Sequence, residues 1–349
     1  MKTILDYIRE GRNYIITLVV FLLVILIGIF YVGSPVGGDT QAVLVIVPKG
    51  ATASSVASIL KKNDLIHSAM AFTVIARATG EAGNIKPGAY SLTRQMSTRQ
   101  MLYKMVEGDV AAIWVTIPEG FTVRQIAERL AGKNLVDKDE FLAAANRCEE
   151  FSQIVPVAGE CLEGYLYPDS YLVPVNAEPQ QIISQMLSTF KSKVADPYAA
   201  DIARYASDNT PQAKAEAMHK IVTIASMIER EAQVAKDRPL ISAVIWNRLR
   251  IGMNLDIDAT VLYALGEHKN RVLYRDLEVD SPYNTYKNPG LPPGPIANPG
   301  IESIKAALHP AKVDYLYYVA RPDGSHVFSR TYSEHSARNA AIKRMKDRR

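Results

Sequence analysis

From Tyr14 to Val32 the chain carries no charge, and only Thr17 and Gly28 interrupt a run of Ile, Leu, Val, Phe and Tyr. At about 1.5 Å per residue in a helix, such a run spans the roughly 30 Å hydrocarbon core of a bilayer. A helix apolar on every face has no side to turn to water, so residues 13–33 are expected to form a transmembrane helix. Lys2, Arg9 and Arg12 precede the run, and Asp39 is the first charge after it. The excess of positive charge before the span places residues 1–12 in the cytoplasm and the rest outside, in the periplasm of an inner membrane or beyond a plasma membrane. The run is longer than the apolar core of a signal peptide, and Gly33-Ser34-Pro35-Val36 offers no small-x-small cleavage site. The segment is therefore expected to stay as a single-pass anchor.

The remainder of the 349 residues can make two or three domains. A hydrophobic share of 48% with 22% charged residues describes a globular chain. The net charge of +4 is mild, and no basic stripe is interleaved with aromatics, so nucleic acid is not an expected partner. Cys148 and Cys161 form no ligand-spaced cluster with the six scattered histidines, so neither a metal nor a cofactor is expected. Beyond the membrane the two cysteines stand where a disulfide is permitted; spacing alone leaves bridged and free states open.

Residues 34–41, rich in Gly, Ser and Pro, form a linker. A repeat then begins at an offset of 70 residues: Val45, Pro48, Gly50, Thr52, Ala57, Leu60 and Leu65 recur as Val115, Pro118, Gly120, Thr122, Ala127, Leu130 and Leu135. Each copy reads as a short apolar strand, a Pro-x-Gly turn and a helix opened by a Thr or Ser cap. Between the copies, 88–92 suggests a strand, and Met101, Leu102 and Met105 a further amphipathic helix. Small units of this kind resemble LysM-type modules, which bind N-acetylglucosamine polymers. Residues 42–160 are thus a LysM-like duplicated α/β region, which either binds sugar or only braces the region after it.

From residue 161 the texture changes to a second region, 161–349. Asn209 or Thr210 can cap a helix with Pro211 at its first position, running to Glu231. Asp237 is expected to cap a second helix that stops near Gly252, and 315–319 reads as a buried strand. Glu229 and Glu231 close the first helix and point in nearly opposite directions. The positions three and four residues from Glu231 are Met227, Ile228, Val234 and Ala235, none an ion-pair partner. A carboxyl beside apolar side chains at a helix C-terminus has its pKa raised, which suits a general acid for glycosidic cleavage.

The stretch 224–232, followed by Asn247-Arg248-Leu249 and Gly252-Met253, resembles the signature of the YceG-like endolytic murein transglycosylases. Glu163-Gly164 with Tyr167-Pro168-Asp169, Asp258 with Thr260-Val261, the run 281–286, the run 290–296 and His309-Pro310 agree in order and spacing. The resemblance covers essentially the whole chain. It implies an α+β fold: a transmembrane helix, a LysM-like α/β region and a mixed α/β catalytic domain. It also implies that Glu231 is the catalytic acid/base, cutting the MurNAc–GlcNAc bond of peptidoglycan glycan strands without water and leaving 1,6-anhydromuramic ends. The implied partners are nascent glycan strands near the membrane and the cell-wall synthesis machinery.

Under that resemblance Tyr283, Asn284, Thr285, Tyr286, Leu291 and Pro292 are expected to line the glycan cleft, tyrosine faces stacking on sugar rings. Asp258 joins them, Asn247 either orients Glu231 or caps structure, and Glu229 and Glu163 support the site. His309 and His335 are expected to be structural. Three positions depart from the family: Ala259 stands where proline is usual, Asp256 where glutamine is common, and Tyr318 where phenylalanine is common. If Asp256 lies close, it should raise the pKa of Glu231 further. Two other readings stay open: a muramidase-type hydrolase using Asp256 or Asp258 as second carboxylate, and a non-catalytic peptidoglycan-binding scaffold.

Overall fold

The computed structural model describes residues 33–347 apart from 160, 176 and 267–271, together with positions 19, 21 and 31. The expected transmembrane helix over 13–33 therefore lies largely outside the described residues. Among those described, no helix is long and apolar enough to cross a membrane. The fold is mixed α+β. The described residues pack as two compact units, 33–115 with 172–175, and 116–171 with 177–347. This division falls within the stretch read as duplicated, so the two copies of the repeat belong mainly to different units.

In the first unit, β1 (Val43–Val47) leads through a turn into α1 (Ala53–Lys62), then α2 (Ala69–Ala78), β2 (Gly88–Leu92), α3 (Thr98–Glu107) and β3 (Ala112–Thr116). A four-stranded sheet has the order β1-β2-β3-β4, β4 being Ser170–Pro174. β1 and β2 are antiparallel with Val45 opposite Tyr90. Alternation decides the sides: Val45 and Val47 are buried, whereas Leu44 and Ile46 are exposed. The buried residues meet Val56, Leu60, Phe72, Met101 and Met105 in one core.

The second copy of the repeat runs from β3 into α4 (Val123–Ala131). Local physics is the same in both. Thr52 and Thr122 each accept from the backbone amide three residues on, closing the helix N-terminus. Gly50 and Gly120 sit at φ 75° and 76°, where a side chain is strained. Asp64 and Asn134 end the helices at φ 51° and 55°. The stripes Val56, Ala57, Leu60 and Ile126, Ala127, Leu130 are buried at the same positions.

The rest of the second unit comprises α5 (Lys138–Ala145), α6 (Pro179–Phe190), α7 (Ala199–Ala203), α8 (Pro211–Glu231), α9 (Arg238–Arg250), α10 (Asp258–Leu265), α11 (Ile301–Leu308), the hairpin β5 (Tyr317–Ala320) and β6 (His326–Ser329), and α12 (Tyr332–Asp347). Thr210 caps α8, with Pro211 in its first turn. Residues 221–228 of α8 are all buried, because α7, α9, α10 and α11 pack around it. Two expectations are corrected. Asp237 stands at the cap position of α9 but makes no cap bond; its carboxylate accepts from the His326 amide at 2.7 Å and bonds its Nδ1 at 3.1 Å. The strand near 315–319 forms as β5, half-buried rather than buried, because a two-stranded hairpin covers only part of its surface. Cys148 and Cys161 are unbridged.

Leu60→Ala and Leu130→Ala each remove a side chain that is at most 1% exposed. Each is expected to cost about 2–5 kcal/mol in chemical denaturation, against less than about 0.5 kcal/mol for exposed Leu44→Ala.

Candidate active site

Glu231 is the last residue of α8, where the helix carbonyls lose their intrahelical partners. Its Oε2 accepts from the Tyr318 hydroxyl of β5 at 3.2 Å. Burial, then the charge of Asp258, push its pKa up to about 7; the Tyr318 hydroxyl, the Ala259 amide and Arg230 pull it back. Asp258 opens α10 and is exposed. Its Oδ1 accepts from the Tyr286 hydroxyl at 2.6 Å. The charges of Asp258, Asp256 and Glu231 add to burial in holding the Tyr286 phenol protonated. Two carboxyls and two tyrosines thus share one electrostatic neighbourhood, with Asp258 exposed and Tyr286 half-buried.

The other half of the glutamate pair faces elsewhere. Glu229 Oε2 accepts the Gly300 amide at 3.0 Å, and Oε1 lies 3.6 Å from an Arg238 guanidinium nitrogen. It ties α8 to the start of α11 and α9.

Several residues expected at the cleft prove to be its framework. Asn284 is fully buried, donating to the Leu277 and Val279 carbonyls at 2.8 and 2.9 Å and accepting from the Tyr286 amide at 3.1 Å. Thr285 is 1% exposed; its hydroxyl accepts from the Ile257 amide at 3.0 Å and lies 2.9 Å from that of Thr260. Neither can meet a sugar: Asn284 shapes the loop that carries Tyr286, and Thr285 seats the start of α10 that carries Asp258. Asn247 does not reach Glu231 but donates to the Val313 and Tyr315 carbonyls at 2.8 and 2.9 Å. Tyr283 is half-buried, its ring 4.9 Å from that of Tyr263. Leu291 is half-buried and Pro292 buried. Their loop is held to α8 by Ser226, whose hydroxyl accepts the Ile296 amide at 3.0 Å.

Arg248 is the residue on which this framework turns. Its Nε donates to the Leu316 carbonyl at 2.6 Å, and Nη1 reaches the Asn254 and Leu255 carbonyls and Asp256 at 3.0, 2.8 and 3.0 Å. One guanidinium therefore sets the entry to β5, which delivers Tyr318, and the entry to α10, which delivers Asp258. Asp256 sits at φ 51°, its charge taken up by Arg248. The carboxylate that raises the Glu231 pKa is Asp258.

Glu163 is 4% exposed and accepts from the Val123 amide at 3.0 and 3.1 Å, from Asn298 at 3.2 Å and from the Tyr263 hydroxyl at 3.4 Å. Burial outweighs these donors and pushes its pKa up to about 8. It borders a cavity of about 600 Å³, whose wall also includes Arg230, Ala259 and Tyr263. His309 faces Asp201 at 3.5 Å, and the His335 ring stacks on Tyr317. The sequence reading missed Tyr318 as a donor to Glu231; its one signal was the departure from phenylalanine.

The chain is similar along most of its length to known proteins. Residues 45–341 match the profile of the YceG-like family. An endolytic murein transglycosylase of Bacillus subtilis (strain 168) is 38% identical over 321 residues, covering 87% of this chain and 86% of the relative. One of Streptococcus pneumoniae is 30% identical over 325 residues, covering 84% of this chain and 57% of the longer relative. A crystal structure of a yceG-like protein from Listeria monocytogenes matches with a TM-score of 0.60 at 36% identity, covering 86% of this chain and 99% of that one.

Arg248→Lys cannot serve three carbonyls and a carboxylate at once. It is expected to lose about 2–4 kcal/mol of stability, measured by denaturant unfolding.

Proposed function

The chain belongs to the YceG-like family, and from that premise we propose that it cleaves the glycan strands of peptidoglycan with Glu231 as the single acid/base. The carrying observation is a carboxyl raised to about 7 in the electrostatic field of exposed Asp258, which is itself bonded to half-buried Tyr286. Near neutral pH it is present both as acid and as base, which one group must be in turn.

In this reading protonated Glu231 gives its proton to the oxygen bridging N-acetylmuramic acid and N-acetylglucosamine, and the bond from C1 to that oxygen breaks. The Glu231 carboxylate then takes the proton of the muramic 6-hydroxyl, whose oxygen closes onto C1. The product is a 1,6-anhydromuramic end, no water is consumed, and the glutamate returns to its acid form. Tyr286 and Asp258 bound the cleft, while Asn284, Thr285, Asn247 and Arg248 hold those two and Tyr318 in place. Glu163 and Glu229 support the framework.

The apolar run over 14–32, with Arg9 and Arg12 before it, supports a single-pass anchor that keeps residues 34–349 outside the cytoplasm and close to nascent strands. The repeat of strand, turn and capped helix supports a LysM-like part for residues 42–160, and the anchor would bring the chain within reach of cell-wall synthesis enzymes. A hydrolytic muramidase is the second reading, favoured by one observation: Asp258 lies within electrostatic reach of Glu231.

Mass spectrometry of digested glycan separates the two, with anhydro ends expected and reducing ends pointing to the hydrolase. Glu231→Gln is expected to lower cleavage by about 10² to 10⁴; a variant that still cleaves removes the assignment. The rate should fall as pH rises through about 7, where the acid form is lost. Because the folded-state pKa is raised, the protonated carboxyl favours folding at low pH and that contribution fades as pH rises through about 7. Glu231→Gln should therefore melt higher than the parent at pH 8, measured by calorimetry.

A further inference from the structure

Among the described residues Glu231 has one side-chain donor on it, and that donor sits on one oxygen: the Tyr318 hydroxyl, 3.2 Å from Oε2. The other charged and titratable groups that face it can be named. Asp258 approaches from α10 with Tyr286 behind it, and Arg230 precedes it on α8. Arg248 acts from α9 on Tyr318 and has Asp256 paired to it. The Ala259 amide, in the first turn of α10, donates to the same carboxyl.

A neutral carboxyl has one O–H donor and one good acceptor, its carbonyl oxygen. A hydroxyl fixed on Oε2 makes that oxygen the acceptor and leaves the acidic proton on Oε1. We propose that Tyr318 is a positioning residue that fixes the transferable proton on Oε1 of Glu231 and steadies the carboxylate left after transfer. The proposal rests on Glu231 being the acid/base. Its bond to Oε2 strengthens as negative charge develops, since hydrogen bonds to a charged acceptor are shorter and stronger. The tyrosine is itself held in place by packing, its ring meeting His326 edge-on at 5.4 Å and Phe328 at 6.2 Å. These contacts do not involve the hydroxyl, so Tyr318→Phe removes the donor and keeps the packing. Ala259→Pro removes the second donor, because proline has no N–H.

The test is the pH profile of glycan cleavage by the full chain. Tyr318→Phe is expected to lower kcat about tenfold with KM within about twofold, and to move the alkaline limb upward by about one pH unit. Ala259→Pro should move the limb in the same direction. Incorporation of 3-fluorotyrosine at position 318, a stronger donor of nearly the same shape, should move it downward, and this serves if Tyr318→Phe does not fold. A limb that stays in place overturns the proposal, whether or not the rate falls, because a merely structural tyrosine would leave it there. If Glu231→Gln still cleaves across the range, the acid/base assignment fails instead, so the two failures are distinct.

Discussion

A carboxyl whose pKa is raised to about 7 sits where α8 ends and α10 begins, and the two helix termini pull on it in opposite directions. The carbonyl end of α8 and the loss of water both disfavour the anion, whereas the amide end of α10 favours it. Asp258 adds negative charge on one side and Arg230 positive charge on the other. A value near neutrality arises only while these contributions keep their distances, so the surrounding structure has to be stiff. That requirement explains why so many polar side chains near Glu231 bind backbone instead of facing solvent.

The segment that carries Tyr286 and those that lead into α10 and β5 have almost no regular secondary structure to satisfy their carbonyls and amides. Buried backbone groups without partners are costly, so side chains must take the place of a ladder. Asn284, Thr285, Asn247 and Arg248 do this with bonds of 2.6 to 3.1 Å. Arg248 has the widest reach because its planar guanidinium presents several donors in fixed directions. It also lies over the Tyr317 ring, with 5.2 Å between its central carbon and the ring centroid, so the strand before Tyr318 is held from both its backbone and its side chain.

Local rules were legible where the chain bonds to itself at short range. The Thr52 and Thr122 caps, the left-handed glycines at 50 and 120 and the buried stripe of the helix in each copy depend on neighbours within a few residues, so their pattern in sequence is their pattern in space. The end of α8 at Glu231 and its Thr210 start were readable for the same reason. Asp237 was not: its cap position is local, but its partner His326 lies 89 residues away and wins the carboxylate. Asn284 and Thr285 look like sugar ligands in sequence, since an amide and a hydroxyl in a Pro-rich loop have the chemistry. Which way such a side chain turns is settled by distant carbonyls that no local pattern records. The cavity beside Glu163 is likewise made by segments far apart in sequence.

Of the three positions singled out in the sequence, Ala259 and Tyr318 act on Glu231 and Asp256 does not. An aspartate at 256 brings a charge that Arg248 takes up at 3.0 Å, so the added anion is absorbed by the framework. An alanine at 259 has the amide that a proline lacks, at the helix end that faces Glu231. A tyrosine at 318 has the hydroxyl that a phenylalanine lacks, and it reaches Oε2. The last two act in one direction, favouring the anion against burial and Asp258. Neither changes the shape of the cleft by more than an atom or two. Donors to one carboxyl can thus shift its pKa while the framework around it stays as it is.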